Sequence, residues 1–367
     1  MRTCEGPFPF GPAADRDGCH TIESSTCTGG ASGYLPFVTV ESADIAAEAG
    51  LCPADLDRPG LTRRRRGSGF SYHGPRGGRI DPATKQRIEE LAIPPAWTDV
   101  WISPDDGAHI LAAGLDDAGR RQYLYHPRFR EVADEVKYAR VGLLGHRIID
   151  VRRAVTEAIG HGDDRARLVG IVVRLIDRTL MRVGTERYAD ENDVYGASTL
   201  RTEHAAVDGS VVTLRFEGKG GREHRHVVDD QDVVEHVRRR QRRRRPRDVL
   251  FATEEGWTVD GTTVADWLST AARLDVTAKD LRTFGASATM VRALGTSTPT
   301  ERDPVVDAYD TVAERLGNTR AVARDSYVAP HVVAAHRTGR LGDAWATSRA
   351  SAWRRREESV LTKLLAQ

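Results

Sequence analysis

Leu168, Ile171, Val172, Leu175, Ile176 and Leu180 recur at helical spacing, which predicts a core helix ending near Met181-Arg182. Just downstream the period changes. Val211 to Phe216 and His224 to Val228 are patterned as strands around Glu217-Gly218-Lys219-Gly220-Gly221, so a hairpin with a glycine-rich tip is predicted there. Helical patterning then resumes to the C-terminus. Residues 139–367 are accordingly read as one mainly helical domain carrying a β-hairpin.

Upstream the texture differs. Phe70-Ser71-Tyr72 and Trp97 to Ile102 carry β-formers, broken by Gly, Pro and Asp. Ile110 to Ala113, a turn over Leu115 to Gly119 and Gln122 to Tyr125 make a second hairpin. Residues 55–138 are therefore expected to form a small strand-rich domain, and the fold class is α+β. Residues 1–54, rich in Gly, Ser, Thr, Ala and Pro, are expected to be an extension without fixed structure, or one added by an upstream start codon. The four cysteines, Cys4, Cys19, Cys27 and Cys52, lie here without a CxxC pair or zinc spacing, so no metal site is expected. No apolar run approaches the ~20 residues of a membrane span, and the N-terminus lacks a secretory pattern. A cytoplasmic, nucleoid-associated location without membrane contact is the expectation.

Net charge is only +1, but its distribution is uneven: Arg63 to Arg66 and Arg238 to Arg245 form basic runs. Each run suits a polyanion or a solvated helix face. Only five of the 54 basic residues are lysines, among them Lys219 and Lys279. An ammonium can release a proton near neutrality where a guanidinium hardly can, which draws attention to both.

Taken singly, the candidate residues are unremarkable. Lys219 suits an exposed turn. Arg182, in Leu180-Met181-Arg182-Val183-Gly184, suits the C-terminus of a helix. Arg282 suits a helix surface, and Tyr327 an amphipathic one. Their order is another matter: Arg182 follows a core helix, Lys219 sits on a hairpin, and Arg282 lies in Lys279-Asp280-Leu281-Arg282-Thr283-Phe284. Asn318 stands nine residues before Tyr327. This set resembles the catalytic domain of type IB DNA topoisomerases, the compact poxvirus-like and bacterial group. Ile93-Pro94-Pro95-Ala96-Trp97 and Gln122-Tyr123-Leu124-Tyr125-His126-Pro127 are similar to that family's DNA-facing N-terminal domain. Together the resemblance covers about residues 55 to 345.

The resemblance implies that Tyr327 attacks a phosphodiester, that Arg182, Arg282 and Asn318 bind its non-bridging oxygens, and that Lys219 protonates the leaving 5′ oxygen. Asparagine replaces the histidine of the viral and eukaryotic pattern at 318; its amide donates a hydrogen bond but exchanges no proton. Two forked guanidiniums would neutralise the spreading charge. The 3′-phosphotyrosyl bond would conserve the energy for resealing without ATP. Double-stranded DNA is the implied partner of a monomeric enzyme, with no cofactor, nucleotide or metal. Arg120, Arg121, Tyr123, Tyr125, His126, Arg128 and Lys279 are the expected DNA contacts. The nearest rival is a tyrosine site-specific recombinase, which usually carries histidine where Lys279 stands and a helical bundle upstream. A non-catalytic DNA-binding protein on the same scaffold would be expected to lack part of the set.

Overall fold

The computed structural model describes residues 41–243, 245–297 and 302–366. Two units divide the chain at Val132/Ala133, six residues before the expected border.

In the first unit, α1 (Ser42–Glu48) precedes β1 (Leu61–Arg66), β2 (Gly69–His73), α2 (Pro82–Glu90), β3 (Thr98–Ile102), β4 (Ile110–Leu115) and β5 (Arg121–Tyr125). The strands form one antiparallel sheet in the order β2-β1-β3-β4-β5. Leu61, Ile88, Val100, Ile102 and Ala112 make its core. The expected extension over 1–54 needs correction in its last part, and residues 1–40 lie outside the described ones. Ala46, Ala49 and Leu51 are buried. Cys52 donates its backbone N–H to the Gly107 carbonyl at 2.9 Å and accepts from His109 N–H at 2.9 Å. Three apolar positions and one bridging residue are too local a signal to stand out from the composition of the segment.

The Arg63–Arg66 run is a strand, not a helix face. Arg63 donates to the carbonyls of Ile93, Pro94 and Trp97 at 3.0, 2.9 and 2.7 Å and lies 4.2 Å over the Phe70 ring. Its role is to tie the Ile93-Pro94-Pro95-Ala96-Trp97 loop to the sheet. Arg64, Arg65 and Arg66 remain exposed.

The second unit begins within α3 (Pro127–His161), followed by α4 (Asp164–Thr179), α5 (Glu186–Asn192), β6 (Ala205–Asp208), β7 (Val211–Gly218) and β8 (Arg222–Val228). Then come α6 (Gln231–Arg243), α7 (Gly261–Ala272), α8 (Ala278–Gly295), α9 (Pro304–Leu316), α10 (Arg320–Ser326), α11 (Pro330–Arg337), α12 (Arg340–Thr347) and α13 (Arg356–Leu365). The strands form an antiparallel sheet in the order β6-β7-β8. In α4 the predicted apolar positions are all buried, from Leu168 to Ile176, with Leu180 as C-cap. Part of the second basic run is also structural: Arg240, buried on α6, donates to the Val249 carbonyl at 2.9 Å. No helix among the described residues is long and apolar enough to cross a membrane.

Candidate active site

The arginines converge because their helices touch at a glycine. Leu180 ends α4 in the left-handed conformation (φ 59°) and turns the chain out of the helix. A methyl group on Gly285 of α8 would lie 2.3 Å from Leu180 Cδ2, so only glycine admits this approach. Beyond Leu180 the chain is strapped down: the carbonyls of Arg182 and Val183 accept from Ala197 and Ser198 N–H at 2.8 and 2.7 Å.

Helix α8 carries Lys279 and Arg282. Asp280 accepts from Thr277 N–H and Oγ1 at 2.9 and 2.8 Å, capping the helix, and its buried carboxylate pairs with Arg140 at 2.9 Å. Two turns into the helix, Ser287 Oγ donates to the Tyr327 carbonyl at 3.1 Å and accepts from Ala329 N–H at 3.0 Å. The Tyr138 hydroxyl donates to the Val328 carbonyl at 2.9 Å. Tyr327, the C-cap of α10, is thus fixed through its backbone on both sides while its ring is half-buried.

The Arg282 guanidinium lies 5.2 Å from the centre of that ring. Arg282 is 3% exposed, and none of its three guanidinium nitrogens has a hydrogen-bond partner among the described residues. Burial pushes it down to about 10; Tyr327 opposes the shift and Arg182 adds to it. At neutral pH it is still a cation. Arg182 donates to Asn318 Oδ1 at 2.8 Å. A guanidinium can only donate, so the amide oxygen must face it. Asn318 Nδ2 is left buried without a hydrogen-bond partner among the described residues. The arrangement presents unused donors from Arg282, beside Tyr327, and from Asn318, held on Arg182, groups of the kind that bind a phosphate.

Lys219 is exposed on the turn between β7 and β8. With Arg182 and His224 it lines a cavity of about 330 Å³, whose apolar walls include Met181, Val183 and Phe216. Arg182, Asn318, Arg282 and Tyr327 therefore come together, with Lys219 at the rim of the cavity that Arg182 also lines. Lys279 is exposed on the first turn of α8. The positioning residues Asp280, Ser287 and Tyr138 escape the sequence reading. A Thr-x-x-Asp spacing signals the first; the other two carry no local signal.

In the first unit, Arg121, Tyr123 and Tyr125 share the exposed face of β5. The tyrosine rings are 5.9 Å apart, and Tyr125 stacks on Phe129 at 5.1 Å. Arg120 folds onto Asp116 at 2.8 Å, across the β4–β5 turn. His126 Nδ1 accepts from the Arg128 backbone N–H at 3.1 Å, so its ring is engaged at the start of α3; the Arg128 side chain is exposed.

Residues 126–337 match the profile of the eukaryotic DNA topoisomerase I catalytic core, and residues 69–116 that of the bacterial DNA topoisomerase IB N-terminal domain. The chain is 27% identical over 285 residues to DNA topoisomerase 1B of Acanthamoeba polyphaga mimivirus, covering 73% of this chain and 85% of that protein. It is 21% identical over 261 residues to DNA topoisomerase 1B of vaccinia virus (strain Western Reserve), covering 67% and 80%. Among solved structures, XerH site-specific recombinase bound to its difH substrate matches with a TM-score of 0.34 and 16% identity, over 49% of this chain and 48% of that one. The catalytic-core profile alone spans more than half of the sequence, and the chain belongs to the type IB DNA topoisomerase family.

Proposed function

We propose that this enzyme relaxes supercoiled double-stranded DNA as a monomer in the cytoplasm, acting on the nucleoid and using neither ATP nor an essential metal. Tyr327 Oη attacks the scissile phosphorus, forming a 3′-phosphotyrosyl bond as the bond from phosphorus to the 5′ oxygen breaks. The tyrosine proton leaves to solvent, and Lys219 gives a proton to the departing oxygen. The free 5′ end rotates, then attacks the phosphotyrosine in the reverse reaction. Arg182 and Arg282 bind the non-bridging oxygens and stabilise the charge that spreads there, with Asn318 Nδ2 donating a further hydrogen bond. Clamps of this kind supply several kcal/mol, on the order of 10³-fold in rate.

The observation that carries this reading is the buried Arg282 guanidinium over the Tyr327 ring with no hydrogen-bond partner among the described residues. An uncompensated buried charge costs several kcal/mol. A phosphate between Arg282, Arg182 and Asn318 would offset that cost when DNA binds. Arg121, Tyr123 and Tyr125 on β5, with Arg120, His126, Arg128 and Lys279, supply the contacts to the duplex.

The test is relaxation of a plasmid carrying no defined target site, in EDTA and without ATP. Relaxation and a denaturant-trapped covalent adduct are expected from the wild type. Tyr327→Phe should bind DNA but lose both. An adduct with that variant would place the nucleophile elsewhere, and dependence on a target site would favour a recombinase.

A further inference from the structure

His224 is buried on β8, while its chain neighbours Glu223 and Arg225 are exposed. It pairs across the hairpin with Phe216, and the two rings lie parallel, 6° between planes and 5.2 Å between centres. Its free edges meet two glycines. A methyl on Gly218 would fall 2.4 Å from His224 Cδ2, and one on Gly317 would fall 2.0 Å from Cε1. Gly218 precedes Lys219, and Gly317 precedes Asn318. Gly317 also needs its left-handed φ of 63° to end α9. Gly218 has no such requirement, since its φ lies outside the left-handed range. The nearest atoms a side chain at 218 would meet are those of the His224 ring.

The turn is closed by the Gly221 N–H, which donates to the Gly218 carbonyl at 3.2 Å, and by the β7–β8 ladder up to Gly218 and Arg222, bonds that leave the Lys219 side chain itself unheld. Lys219 is exposed and makes no hydrogen bond or ion pair among the described residues, and the turn continues through Gly220 and Gly221 at φ 84° and 68°. Burial, reinforced by Arg182, Arg282 and Arg222, lowers the His224 pKa, so the ring that fills this gap is neutral near pH 7.

We propose that His224 is a positioning residue: its ring is a wedge between the Lys219 turn and the Asn318 segment, and it sets where the lysine ammonium stands relative to the leaving oxygen. The inference rests on the reading of Lys219 as the general acid. It requires no proton transfer by His224 itself. The ring acts by shape, and the two glycines are the space made for it.

The experiment is single-turnover cleavage by the full chain on ordinary DNA and on DNA with 5′-bridging sulfur, whose leaving group needs no proton. Misplacing a catalytic group by about 1 Å costs on the order of 10²-fold. His224→Ala should therefore slow cleavage of ordinary DNA by about 10- to 100-fold with unchanged DNA affinity, and recover to within a few-fold of wild type on the sulfur substrate. Gly218→Ala, which drives a methyl into the ring, should show the same pattern. The double variant should be no slower than His224→Ala, because the clash is gone. Lys219→Ala runs alongside. If it is rescued by sulfur and His224→Ala is not, the wedge does not act through the lysine and the proposal falls. If Lys219→Ala is itself not rescued, the general-acid reading fails first and takes the proposal with it. Should His224→Ala not fold, Gly218→Ala carries the test alone, and slow cleavage on both substrates overturns the proposal.

Discussion

Arg282→Met separates what the site contributes to catalysis from what it costs the fold. The side chain is 3% exposed, and its close compensation is Tyr327, whose ring centre lies at 5.2 Å and whose side chain favours the charged guanidinium against burial. A desolvated cation–π contact is worth about 2 kcal/mol. Against it stands the burial of a guanidinium without hydrogen bonds, a penalty of several kcal/mol. Replacing even a paired buried charge by an apolar side chain of similar volume is often stabilising by about 1–4 kcal/mol, and here no carboxylate pairs with the guanidinium among the described residues. The charge penalty wins, so Arg282→Met should stabilise the DNA-free protein by about 1–3 kcal/mol. The melting midpoint should rise by about 2–4 °C for each kcal/mol in a domain of this size. The same change should slow single-turnover cleavage by about 10³-fold or more, since the proposed donors to the non-bridging oxygens vanish. Thermal unfolding without DNA and cleavage with it are the two assays. A destabilised variant would refute the argument, because the guanidinium would then have a partner that satisfies it in the free protein.

Lys219→Ala should cleave ordinary DNA at least about 10²-fold slower than wild type and regain much of the rate with 5′-bridging sulfur, whereas Arg182→Ala and Arg282→Ala should regain little. Rescue of an arginine variant but not the lysine one would reverse the assigned roles. Arg121→Ala should weaken DNA binding and flatten its salt dependence by about one unit of log–log slope, the signature of one lost phosphate contact; an unchanged slope removes β5 from the interface. Burial pushes His226 and His236 both down to about 4. Between their ordinary value of about 6.5 and that point, the unfolded chain takes up protons that the folded one refuses. Stability should therefore fall with pH across this window, by roughly 1.4 kcal/mol per unit for each ring. Urea midpoints at pH 7 and pH 5 check this, and equal midpoints would mean that the rings are solvated.

The legible parts of the sequence are those whose cause is local. The apolar ladder of α4 and the glycine tip of the β7–β8 hairpin need no partner to announce themselves, and both stand where their patterns place them. Arg63 shows the opposite case. In sequence it is one of four like charges, yet its guanidinium is spent on carbonyls some thirty residues away, and no local pattern encodes that. His224 is hidden for the same reason: besides Phe216, His226 and Gly218, which are near it in the chain, it meets Gly317, which is not.

Asn318 marks the division within the site itself. Its offset from Tyr327 is visible in the sequence, but its usefulness depends on which way the amide faces. Because Arg182 can only donate, it takes the oxygen, and the buried nitrogen has no partner among the described residues. A neutral amide would be a poor stand-in for a histidine if its donor were engaged elsewhere. Here both N–H groups of Nδ2 remain unengaged among the described residues, oriented by the Arg182 guanidinium; under the proposed mechanism Arg182 would supply the charge and Asn318 the direction. Under the proposed mechanism that division of labour does without a proton-exchanging ring at this position.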